Sequence, residues 1–395
     1  MKKKKRNYNV IIDLLFVFGI ILFMLLALAK SILKPTLIAN NENRYADSYD
    51  KLSFKAYLKG DLQTNFEKTL SDQMILTSKM RSANNLLDAA ILKMTLNAIA
   101  SNHELDYYNL GSTYAYGTDN LVYYPYVLSE HMDILEDKVV ELNKIMQDYP
   151  QVEYYFYYIE KDSDINFNDN SKLMAYEYLK DNLASSNIAK FEINNFEEFQ
   201  KYFYKTDHHW NYQGSYKAYL ELLEMFGFDN PKTPNGIDCF NKKFVGSKAM
   251  AFTMMFNEDL CYYVIDYDDL DIYVNGQKGE YGFQGGTIDK DISHPTYHTY
   301  YGLDRGEVIF DTKDDSKDNI LILGESFDNA VIRLFAEKFN KTMAVDLRHY
   351  EKETGKKFDY GEYLETNDVD KVLFIGNINY WASDEFNVIR WYYGF

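Results

Sequence analysis

A mainly parallel α/β sheet with flanking helices, preceded by one N-terminal transmembrane helix, is the architecture this sequence predicts. Three observations carry it: short apolar runs alternate with helical patterns, a Gly-Glu-Ser turn separates one such run from a helix, and an isolated apolar stretch follows a cationic N-terminus. Val152 to Ile159 reads as an aromatic-rich strand. Ile320 to Leu323 is a continuous apolar run, as expected of a strand covered on both faces. Val331, Leu334, Phe335 and Phe339 then recur at helical spacing. Met343 to Leu347 and Val372 to Ile375 repeat the buried-strand pattern, with helical patterns between and after them. Such alternation predicts a layered fold around a parallel sheet. It occupies residues 101–395, with a β- and loop-rich insertion around 235–317 where Gly, Asp and Tyr are frequent.

The N-terminus is a separate physical object. Lys2 to Lys5 and Arg6 form a cationic cluster, and Val10 to Ala29 follow as an apolar run interrupted only by Asp13. About 20 apolar residues span a bilayer core as a helix. The cationic flank places residues 1–34 as a cytoplasmic tail and anchor, and the main domain on the extracytoplasmic side of the cell membrane. A cleaved signal peptide competes, because Ala27-Leu28-Ala29 resembles a small-residue cleavage site. The length of the apolar run favours the anchor. Residues 35–100 read as a polar linker and accessory helices, with Phe66, Leu70, Met74, Leu87, Ile91 and Met94 at three- and four-residue spacing.

Charge divides along the same line. Residues 1–34 carry a net +6 and the remainder −24. An acidic exterior repels nucleic acid and anionic lipid surfaces. Cys239 and Cys261 both lie in the exterior part, where a disulfide and two free thiols are both open. The 37 tyrosines suit either sugar-facing surfaces or half-buried sheets.

Two stretches carry chemistry. In the first, Lys205 to Asn211, Asp207 and His209 stand two apart, so an extended backbone places them on one side. The carboxylate then fixes the imidazole tautomer and stabilises the imidazolium of a turnover. Asn211 reads as the N-cap of a helix whose face is Tyr216, Tyr219, Leu220 and Leu223. In the second, Leu321 to Asn329, Ser326 stands at a strand-to-helix turn, at the carboxyl edge of the sheet where α/β sites lie. Backbone N–H groups and the helix N-terminus there suit an oxyanion. The strict GxSxG elbow is missing, since Asp328 takes the second Gly position. Taken singly, a Gly-x-Ser turn is more often an ordinary N-cap. Metal is the weaker reading of Asp207, His208 and His209, because adjacent histidines rarely reach one ion. His294 and His298 have ligand spacing, but Pro295 between them argues for a loop. With no metal or nucleotide motif, the pattern is that of cofactor-free chemistry.

The segments TDHHWNYQG and LGESFDN resemble the DHHW family, which is SGNH-hydrolase-like and similar to the alginate O-acetylation proteins. Phe66-Glu67, Ser71-Asp72-Gln73 and Asp346-Leu347-Arg348 extend the likeness over roughly residues 60–385. The resemblance implies Ser326 as nucleophile, His209 as base and Asp207 as its orienter. It implies an O-acyltransferase or acetylesterase acting on a cell-envelope or exopolysaccharide glycan, served by a membrane-bound acyl-exporting partner. Glu325 departs from the motif, which commonly has Asp there. Arg348 and Asn377 each follow a buried strand and are candidates for oxyanion or substrate contacts, with structural hydrogen bonding equally open. His208 and Trp210 are further substrate-binding candidates, Trp210 by stacking on a sugar ring. The alternative is a non-catalytic glycan-binding or envelope scaffold protein that keeps the fold.

Overall fold

The computed structural model describes residues 2–33, shorter stretches between 38 and 123, and residues 132–382 apart from 168, 252–256, 284–287 and 293–294. The chain divides into two compact units, one of residues 1–104 with 250–255, the other of residues 105–249 with 256–395. His294 lies outside the described residues.

In the first unit, Lys2–Leu33 is one helix. Its segment Val10–Lys30, with mean hydropathy 3.0, is long and apolar enough to cross a membrane, a test that a signal segment also passes. Leu62–Gln73 is a second helix, but its buried face is not the apolar one expected. Phe66 is exposed while Thr69 and Gln73 are buried, because both serve the chain at 47–48. Gln73 Nε2 donates to the Asp47 carbonyl at 2.9 Å and Thr69 Oγ1 to that of Ser48 at 3.1 Å, while the Asp47 N–H donates to Asp72 Oδ2 at 2.8 Å. Hydrogen bonding outweighs hydrophobic spacing here.

In the second unit the core is an eight-stranded sheet. Its strands, in chain order, are β1 (Glu153–Ile159), β2 (Ile188–Phe191), β3 (Asp271–Val274), β4 (Gln277–Lys278), β5 (Glu307–Asp311), β6 (Ile320–Leu323), β7 (Lys341–Val345) and β8 (Lys371–Gly376). The spatial order is β4-β3-β5-β7-β6-β8-β1-β2. The five strands from β7 to β2 are parallel, and β5, β3 and β4 extend that sheet antiparallel. Much of the segment read as an insertion therefore continues the main sheet.

The period of two along β6 divides two cores. Ile320 and Ile322 join the aromatic-rich layer on one face, whereas Leu321 and Leu323 join the other. Three helices matter for the site: α1 (Tyr212–Met225), α2 (Tyr297–Tyr301) and α3 (Asn329–Ala336). Asn211 caps α1 as expected, its side chain accepting from the Gln213 and Gly214 N–H groups at 2.9 and 3.1 Å. The buried face of α1 is Ala218, Tyr219, Leu222 and Leu223, with Leu220 turned outward. Every residue of α3 is buried, so it is a core helix. The tyrosines are largely interior: Tyr157, Tyr158, Tyr204, Tyr219, Tyr297, Tyr360 and Tyr380 rank among the largest fully buried side chains. Cys239 and Cys261 form a disulfide across a two-stranded hairpin, Gly236–Cys239 with Cys261–Val264.

Candidate active site

The connection leaving β6 runs to β7 and the one leaving β1 runs to β2, on opposite sides of the sheet. Such a reversal opens a crevice at the carboxyl ends of the strands. Ser326 stands there, three residues beyond β6 and three before α3. Gly324 makes the turn possible, since a Cβ on it would lie 2.3 Å from Asp328 Oδ2 and 2.9 Å from Ile375 Cγ2.

Across the crevice, the bend after Phe203 carries Asp207 and His209, both almost fully buried. His209 Nε2 lies 2.7 Å from Ser326 Oγ, and His209 Nδ1 lies 2.6 Å from Asp207 Oδ1. The local geometry is not simple strand alternation. Asp207 Oδ1 also accepts from the N–H of His209 at 3.0 Å, so the side chain folds onto its own backbone two residues on. One oxygen thereby grips both the backbone and the ring of the histidine. The imidazole stacks face to face on Tyr297 of α2, at 3.8 Å between centroids and 3° between planes. Phe327 closes another side at 4.9 Å.

Asp207 Oδ2 accepts from the Ser247 N–H at 2.7 Å. That approach depends on Gly246, where a Cβ would fall within 2.5 Å of Asp207 Cβ and N and of the Thr206 carbonyl. Burial alone would raise the Asp207 carboxyl, but the His209 and His208 rings and the Ser247 N–H hold it well below the usual carboxylate range. Burial lowers the His209 imidazole against the opposing pull of Asp207. The pair therefore rests as carboxylate and neutral imidazole near neutral pH, the state a general base requires.

The other candidates separate. His208 is half-buried beside His209, with Nδ1 2.6 Å from Ser247 Oγ. Trp210 is fully buried, packed on Phe191 and Phe327, which removes it from any sugar platform. Its ring follows His209 by one residue and so turns inward. Asn377 is buried, accepts from the Asn379 N–H at 2.9 Å and donates to Glu325 Oε1. Arg348 pairs with Asp346 at 2.6 Å and with Asp304 at 3.1 Å. Both residues thus serve the acidic surroundings of the Ser326 turn. A small cavity beside that turn is lined by Asp304, Glu325, Asp328, Asn329 and Asp346, among others.

Among the described residues, two groups have ligand atoms within 4.8 Å of one another: Asp207, His208 and His209, closer than adjacent histidines were expected to allow, and Asp304, Asp346 and His349. In the first, Asp207 and His209 are engaged with each other and His208 Nδ1 with Ser247. In the second, Arg348 lies on both carboxylates. Neither group fits an ion as it stands.

The sequence pattern does not reveal Gly246, Ser247, Tyr297 or Glu258, which accepts from the N–H groups of Lys205 and Thr206 at 3.0 and 2.6 Å. Pro295 itself is non-helical, and Thr296 caps α2, so His298 stands on a short helix that begins only after the proline.

No protein-family model and no curated protein matches this chain. Among solved structures, Bacillus cereus PatB1 with a sulfonyl adduct is similar at a TM-score of 0.56 and 20% identity, over 72% of this chain and 99% of that one. A DHHW family protein from Eubacterium siraeum is similar at a TM-score of 0.55 and 15% identity, over 72% and 97%. The O-acetyltransferase domain of Pseudomonas putida AlgJ is a looser match, with a TM-score of 0.36 and 8% identity over 71% and 94%. The likeness carried by the Asp-His-His-Trp and Gly-Glu-Ser-Phe segments is thus matched by the architecture: the chain shares the fold of the DHHW family protein and of PatB1.

Proposed function

We propose that this chain is an extracytoplasmic O-acyltransferase or acetylesterase that acts on a cell-envelope or exopolysaccharide glycan. The observation that carries the reading is the relay Asp207–His209–Ser326, with contacts of 2.6 and 2.7 Å. Ser326 Oγ attacks the acyl carbonyl while its proton passes to His209 Nε2. The tetrahedral oxyanion meets the N–H groups of Ser326 and Phe327, which no acceptor meets among the described residues, at the N-terminal end of α3. Collapse expels the donor alcohol, which takes the proton from Nε2. A sugar hydroxyl or water then loses its proton to Nε2 and attacks the acyl-serine, and collapse releases Ser326 Oγ, which takes that proton back from Nε2.

The names of the similar proteins support this reading: AlgJ is called an O-acetyltransferase, and PatB1 was captured with a sulfonyl adduct. The apolar helix supports a single-pass anchor with a cytoplasmic N-terminus. One such helix carries no acyl group across a bilayer, so a transferase draws its donor from a membrane-bound acyl-exporting partner.

The test is hydrolysis of a chromogenic acetate by the full-length chain in detergent, with sulfonyl fluoride labelling alongside. Turnover and labelling are expected, and Ser326→Ala should lose both. Turnover that survives Ser326→Ala removes the assignment. Neither turnover nor labelling in the unaltered chain turns the reading to glycan binding without chemistry.

A further inference from the structure

The acid–base pair stands on a bend, and beyond the hydrogen bonds within the bend and to its flanks, one loop braces it. That loop runs between Cys239 and Cys261, which close 22 residues of sequence at the end of the hairpin ladder. Past the disulfide the two arms stay paired, Phe240 N–H to the Leu260 carbonyl at 3.0 Å, then Phe244 and Glu258 by reciprocal bonds of 2.8 and 2.9 Å. Both arms reach the catalytic bend. From one arm, Gly246 N–H donates to Thr206 Oγ1 at 3.1 Å, Ser247 N–H to Asp207, and Ala249 N–H to the Thr206 carbonyl at 3.0 Å. From the other, Glu258 accepts from two backbone N–H groups and from Thr206 Oγ1 at 2.7 Å.

We infer that Glu258 is a positioning residue for Asp207 and His209, and that the Cys239–Cys261 bridge sets how firmly the loop holds them. The inference rests on the acyl-transfer reading of that pair. Glu258 gathers three donors around one carboxylate, so it fixes the backbone from which Asp207 projects. Its own carboxyl is raised by burial, against those same donors. The arms cross-brace each other through the Phe244–Glu258 bridge, so a slip in either moves the Ser247 N–H from Asp207. The disulfide forbids that slip at the neck, by restricting how far the arms can separate. A displacement of about 1 Å at a catalytic group is enough to cost rate on the order of a hundredfold.

The experiment uses the full-length chain in detergent, with the double variant Cys239→Ser/Cys261→Ser and, in the disulfide-intact chain, Glu258→Gln and Glu258→Asp. Two quantities are read: kcat for acetate ester hydrolysis across pH, and the downfield imidazole N–H proton resonance of His209 against Asp207. Both the double variant and Glu258→Gln should lower kcat on the order of tenfold or more, with KM little changed. The acid limb should move to lower pH, because a loosened Asp207 no longer raises His209. The resonance should broaden, and Glu258→Asp should recover part of each effect. A purely structural loop lowers the melting temperature and leaves the pH limb and the resonance unmoved; that result overturns the inference. If the cysteine variant does not fold, Glu258→Gln decides alone. A wild-type chain that shows the resonance but no turnover counts against acyl transfer, and the resonance in the variants still decides the positioning role.

Discussion

Two buried carboxylates flank the chemistry, and their surroundings drive them in opposite directions. Asp207 faces two imidazoles and the Ser247 N–H, and is held well below the usual carboxylate range. Asp328, two residues past Ser326, has a carboxyl with no hydrogen-bond partner among the described residues, and it faces Asp346, Asp304 and Glu325, with Arg348 the opposing charge. Burial first, then those neighbours, push its carboxyl well above the usual range. Depth does not separate them, since both are buried. What separates them is whether donors and cations accompany the charge. The surroundings on one side of Ser326 therefore favour the charged carboxylate, and those on the other side favour the neutral acid.

Asp207→Asn breaks the comparison hardest. The amide no longer stabilises an imidazolium or enforces the tautomer, and kcat for acetate ester hydrolysis should fall by roughly ten-thousand-fold. Gly246→Ala should cost on the order of a hundredfold in the same assay, because the new methyl forces the Ser247 N–H away from Asp207. An unchanged rate would show that the N–H is dispensable. Asp328→Asn should stabilise the fold at neutral pH by about 1–3 kcal/mol, measured by denaturant unfolding. The sign follows from the raised carboxyl. Its stabilising proton is fully present below the unfolded value of about 3.9 and is lost as pH climbs towards the folded value, so the advantage of Asn should vanish near pH 3.5. The smallest effect is on the pH profile. Burial depresses His209, so the acid limb of kcat/KM should lie below the ordinary imidazole value of about 6.5. A limb above that value would mean that Asp207 outweighs burial.

The difference between the two sides also explains what the sequence disclosed. Asp207, His209 and Ser326 come from short patterns, a two-residue spacing and a Gly-x-Ser turn after a four-residue apolar run. The central strands are legible for the same reason, since unbroken runs such as Ile320–Leu323 state their own burial. The supports of Asp207 are not legible, because a backbone N–H leaves no mark in a residue pattern. Ser247 could be almost any residue and still donate. Trp210 misleads because an aromatic beside histidines looks like a sugar platform, while one step along the bend reverses its direction into the core. Arg348 and Asn377 sit after buried strands as expected, yet Asn377 is partnered by Glu325, 52 residues away, which local spacing does not announce. The paired strands β5 and β3 are hidden because each is only four or five residues long and lies in a segment rich in Gly, Asp and Tyr.

The order of the sheet has a consequence for how the protein is made. β1, the first strand of the sheet, pairs with β8, the last, across 218 residues between Glu153 and Lys371. β6, which carries the nucleophile turn, sits between two strands that follow it in the chain. A chain made from its N-terminus therefore presents His209 long before it can present a seated Ser326. Contacts so distant in sequence close late and slowly. The contact between His209 and Ser326 is therefore framed only as the last strand arrives, so a partial chain does not hold it.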